Sequence, residues 1–77
     1  MPGFETRTLA TRFVKWATGD YQVITVQGGH AVVLGSVQHI RQREWLAYPP
    51  GHRPPSMHLT RRGAAQALVD YHLENNR

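Results

Sequence analysis

Thr60-Arg61-Arg62-Gly63-Ala64-Ala65-Gln66-Ala67-Leu68-Val69-Asp70-Tyr71-His72 decides how the rest of the chain is read, because it is the stretch with clear helical spacing. Thr60 is a good N-cap residue, and Gly63 in the first turn costs less than it would in mid-helix. On a 3.6-residue wheel Ala64, Ala65, Ala67, Leu68, Tyr71 and His72 share one side, whereas Gln66, Asp70 and Glu74 share the other. The inner side is mostly alanine, so this helix can approach a sheet closely. A helix-turn-helix needs a second helix, and the remaining sequence lacks that periodicity.

Upstream of the helix the pattern is that of short strands. Arg12-Phe13-Val14-Lys15-Trp16-Ala17 reads as a first strand, ended by the turn signal Thr18-Gly19-Asp20. Tyr21 to Val26, rich in aromatic and β-branched residues, is a second. Gln27-Gly28-Gly29-His30 makes a hairpin turn, since adjacent glycines supply the positive φ angles that tight turns require. A third strand covers Ala31 to about Gln38, and a fourth runs from about Arg43 to Tyr48. Pro49-Pro50-Gly51 must end the fourth, because proline cannot donate to a ladder. Between His52 and His58, Pro54-Pro55 allows only a short edge strand. The expected fold class is α+β: an antiparallel β-meander of four to five short strands packed on one C-terminal α-helix. Residues 1–10 show no usable periodicity and are expected to be a flexible N-terminal arm, with 11–77 forming a single α+β domain.

Strand alternation then sorts side chains onto two faces. Small Gly35 and Ala47 beside bulky Trp45 suit an alanine-lined helix, so Trp45, Ala47, Val33 and Val37 are assigned to the helix side. Leu34, Leu46 and Tyr48 fall on the opposite side. That side is too apolar for ordinary solvent contact and calls for cover by the chain itself, a ligand or a partner.

Composition bounds the function. Seventy-seven residues make one small domain, and the absence of cysteine removes disulfides, thiolate nucleophiles and cysteine-based zinc sites. Nothing in the sequence approaches a membrane span, and the first residues lack a signal-peptide core. A cytoplasmic location is therefore expected, without membrane association. The net charge is +4, and eight of the nine basic residues are arginine, whose planar fork suits phosphates and guanine edges.

Gly35-Ser36-Val37, Trp45-Leu46-Ala47-Tyr48 and Leu59-Thr60-Arg61-Arg62 with Ala64-Ala65-Gln66-Ala67-Leu68 together resemble the three-strand-plus-helix domain of plant ethylene-response transcription factors and, more distantly, the N-termini of phage and transposon tyrosine integrases. The resemblance covers roughly residues 31–75. It implies a sheet laid in the DNA major groove and supported from behind by the helix. By matched position it implies that Gln38, Ile40, Gln42, Leu46, Tyr48 and Arg53 face DNA, with phosphate contacts from Arg41 and Arg43 if a bulge turns them outward.

Catalytic chemistry has little footing. His30, His39, His52, His58 and His72 lack the helical i,i+4 spacing and carboxylate company of metal sites, so no metal and no cofactor is expected. Glu5, Asp20, Glu44, Asp70 and Glu74 are scattered. Gln27-Gly28-Gly29-His30 lacks the glycine spacing, lysine and helix start of a phosphate loop. The expectation is a non-enzymatic DNA-binding module, an accessory or regulatory protein of a phage or mobile element, contacting double-stranded DNA through Gln38, Arg41, Gln42, Arg43, Tyr48 and Arg53. The alternative is a protein-interaction module or homodimer that uses the apolar face around Leu34, Leu46 and Tyr48.

Overall fold

The computed structural model describes residues 9–51 and 53–75. It contains strands β1 (Arg12–Ala17), β2 (Asp20–Gln27), β3 (His30–Arg41), β4 (Glu44–Tyr48) and β5 (Ser56–His58), followed by helix α1 (Arg61–Asn75). All five strands form one antiparallel sheet in chain order, with the helix packed across one face. This is the expected α+β meander on a C-terminal helix. β3 is longer than expected, because Gln38 and His39 pair with Leu46 and Trp45 and carry the ladder to a two-residue turn at Gln42-Arg43. Of the expected arm, residues 1–8 lie outside the described residues. Leu9 packs against the core, and the Ala10 carbonyl accepts a 2.7 Å hydrogen bond from the Thr25 hydroxyl.

The helix begins as its capping residue dictates. Thr60 Oγ1 accepts from the Gly63 amide at 2.9 Å, and the Thr60 carbonyl accepts from the Ala64 amide at 3.1 Å. A Cβ at position 63 would lie 3.1 Å from Thr60 Oγ1, so glycine there lets the cap close. Ala64, Ala65, Leu68 and Val69 are buried against Val23, Leu34, Val37 and Ala47 of the sheet. Gln66 and Asp70 stay outside and bond to each other at 3.0 Å.

One residue overturns the expected division of the faces. Val23 pairs with Gly35 but the next rung joins Ile24 to Val33, so Leu34 is an extra residue in β3. Gly35 takes φ +145°, a left-handed value that a side chain would oppose, and the resulting bulge reverses the alternation on its N-terminal side. Leu34 is consequently 1% exposed under the helix, whereas Val33 is 52% exposed on the opposite face. The assignment of Val33 to the helix side and of Leu34 to the partner-facing side is thus corrected. Trp45, Ala47 and Val37 do lie on the helix side. Trp45 is only half-buried there, and its ring stacks on His39 at 4.3 Å.

Candidate nucleic-acid interface

In a meander, alternate connections emerge at the same end of the sheet. The β1–β2 turn, the β3–β4 turn and the link from β5 into α1 therefore share one end, and the β2–β3 and β4–β5 connections share the other. The consequence for charge is large. Lys15, Arg41, Arg43, Arg61 and Arg62 all belong to the first end, whereas Arg12 and Arg53, the remaining described Lys and Arg, belong to the second.

Two of these cations make defined side-chain contacts. Arg41 is ion-paired with Glu44 across the β3–β4 turn. Arg43, at the turn's second position, has φ +62°, a left-handed value that costs a non-glycine residue on the order of 1 kcal/mol. Arg61 lies over two rings, 4.3 Å from the Phe13 centroid and 5.1 Å from that of Tyr21, so its guanidinium is held in place by cation–π attraction. Tyr21 meets Phe13 edge-on at 6.1 Å and Trp45 at 6.2 Å, and this run of rings continues into the His39–Trp45 stack. The His39 amide donates to the Gly19 carbonyl at 2.8 Å, tying the β1–β2 turn to β3. Lys15 pairs across the ladder with Tyr21.

The first turn of α1 contains no acidic residue, and Arg61 and Arg62 sit there against the positive end of the helix dipole. Two cations at a helix N-terminus raise the local potential, which an approaching anion relieves. Asp20 and Glu44 are the carboxylates at this end, and Glu44 is occupied by Arg41. The opposite end has Arg12 and Arg53 balanced by Asp70 and Glu74 of the helix, and Arg53 lies over the Tyr71 ring at 5.5 Å.

The residues expected to contact DNA are thus divided. Arg41, Gln42 and Arg43 lie together at the cationic end. A register shift between His39 and Arg41 is the kind of bulge that turns such residues outward. Gln38 and Tyr48 lie on the open sheet face, where the Tyr48 hydroxyl donates to Gln38 Oε1 at 3.0 Å; Leu46 shares that face. Arg53 is at the far end. Lys15, Arg61 and Arg62 were absent from the expected set, although counting connections along a meander would have found them.

Groups able to do chemistry are sparse. Ser56 Oγ and His58 Nε2 are 2.7 Å apart on β5, an arrangement found in nucleophilic sites, but among the described residues no carboxylate is bonded to the imidazole to orient it. No cluster of three metal-ligating side chains occurs among the described residues. A cleft of about 180 Å³ beside Ala10, Arg12, Ile24 and Val26 is below the size of typical small-molecule sites. Among the described residues no helix is long and apolar enough to cross a membrane. No family model, curated protein or solved structure matches the chain.

Proposed function

We propose that the chain is a small, non-enzymatic module that binds double-stranded DNA through its cationic end, with Lys15, Arg43, Arg61 and Arg62 as phosphate contacts and Arg41 and Gln42 beside them. The observation that carries this reading is the gathering of these cations at one end of the sheet, away from Arg12 and Arg53. Long-range attraction by such an end steers a polyanion toward it, and arginine forks then match phosphate geometry. Arg61 needs little ordering on binding, because Phe13 and Tyr21 already hold its guanidinium. Phosphate contact of this kind positions the protein without specifying sequence. Gln42, at the tip of the β3–β4 turn, is the neighbouring side chain suited to a base edge. With this partner goes a cytoplasmic location, and an accessory role in a phage or mobile element rests on the family resemblance.

Titration of a labelled duplex at two salt concentrations tests the reading. Neutralising four phosphates gives a log–log salt slope of about −3.6, so affinity falls about a hundredfold between 50 and 200 mM salt. The double substitution Arg43→Glu with Arg62→Glu removes binding, whereas Arg53→Glu at the far end leaves most of it. Absence of binding at low salt, or equal loss in both variants, rules the proposal out.

A further inference from the structure

Trp16 is the inserted residue of an edge strand. Lys15 pairs with Tyr21 and Ala17 with Asp20, so the ladder passes Trp16 by, and the residue is 65% exposed. Bulges in edge strands re-aim a side chain, and they are common beside functional sites. Among the described residues the indole makes no ring contact and does not pack into the core. Its neighbours are cations. Lys15 precedes it, and Tyr21, the cross-strand partner of Lys15, lies 5.1 Å from the Arg61 guanidinium. One corner of the sheet thus sets an open ring next to two of the proposed phosphate contacts.

We propose that Trp16 stacks on an unpaired base, so that the cationic end prefers duplex DNA with a single-stranded extension to a fully paired duplex. The inference rests on the DNA-binding reading of that end and adds the form of DNA that it selects. Stacking energetics separate the two forms. To enter an intact duplex the indole must unstack a base step, and the stack formed in return only roughly offsets that cost. A base that is already unpaired carries little of it, so the stacking gain appears as affinity.

Position agrees with this. Trp16 lies on the outermost strand, two to three strand spacings, roughly 10 to 14 Å, from the β3–β4 turn that bears Arg43. The base that it takes is therefore a few nucleotides along from the phosphate held by Arg43, where a strand can run on past the end of a paired segment. Ile40 and Leu59 are also exposed at this end, but an aliphatic side chain has no ring face to set against a base.

Titration of the full chain, at one salt concentration, against three labelled DNAs of the same duplex sequence tests the proposal. One is blunt, one carries a short thymine extension, and one carries an abasic extension of equal length that keeps the phosphates and lacks the bases. The wild-type chain is expected to bind the thymine-tailed duplex about tenfold more tightly than the abasic-tailed one. Trp16→Ala is expected to bring the two tails to equal affinity, and Trp16→Phe to keep part of the preference, with circular dichroism unchanged in both. A wild-type chain that binds the two tails equally overturns the inference while its binding of the blunt duplex leaves the DNA-binding reading standing. A folded Trp16→Ala chain that keeps the full preference overturns it in the same way. Failure of all three DNAs to bind at low salt removes the underlying reading and this inference with it.

Discussion

Gly35 and Leu68 meet so closely that a side chain on the glycine would begin 2.9 Å from Leu68 Cδ2, and 2.4 Å from the Tyr48 carbonyl oxygen. The leucine can shift; the β4 backbone cannot without breaking its ladder. The left-handed φ of Gly35 adds to the obstruction. Gly35→Ala is therefore expected to destabilise the fold by about 2 to 4 kcal/mol, a large part of the stability of a domain this small. Urea denaturation followed by circular dichroism measures it, and a loss under 1 kcal/mol would show that the bulge tolerates a Cβ.

The same bulge sets two neighbouring residues against each other. Leu34→Ala opens a cavity beneath the helix and should cost about 2 to 5 kcal/mol, whereas Val33→Ala on the open face should change monomer stability by less than about 1 kcal/mol. Comparing the two midpoints is a direct check of which residue faces the helix. The reverse order would restore the uninterrupted alternation.

At the helix start the two arginines should behave differently. Arg61→Ala loses its contact with Phe13 and Tyr21, about 0.5 to 1 kcal/mol for an exposed cation over rings, partly offset by relief of the dipole. Arg62→Ala has only the relief, and is expected to leave stability unchanged or raise it by up to about 1 kcal/mol. Thermal melts of the pair at low ionic strength show the difference; equal shifts would mean that the rings do not anchor Arg61.

Arg43 separates stability from binding. Glycine at its positive φ removes the Cβ conflict, so Arg43→Gly is expected to hold or raise stability by up to about 1 kcal/mol while reducing DNA affinity and lowering the salt slope by about one contact. A variant that is both less stable and equally tight in binding would contradict the role given to this residue.

Much of the architecture could be read from local chemistry. Gly28-Gly29 marked one turn, the prolines after Tyr48 stopped β4, and Thr60 announced the helix that the sheet needed for cover. The β3–β4 turn was harder to bound, because Gln42-Arg43 has none of the residues that favour a tight hairpin. The faces were misread at Leu34, since alternation holds only while the ladder is unbroken. An isolated glycine inside a strand is itself a bulge signal, and Gly35 was that signal. The site was legible only in part. Arg41, Gln42 and Arg43 followed from the resemblance, but Lys15 and Arg61 join them through the order of connections and through ring contacts that distant positions in the chain make together.

Trp16, the inserted residue of β1 and 65% exposed, and Trp45, stacked on His39, both belong to the end where the arginines gather. They are the chain's two tryptophans. Intrinsic emission from the unlabelled protein is thus a natural optical gauge of that pole: a polyanion bound there is expected to alter its intensity or colour, while events at the far side of the molecule are expected to leave it unchanged.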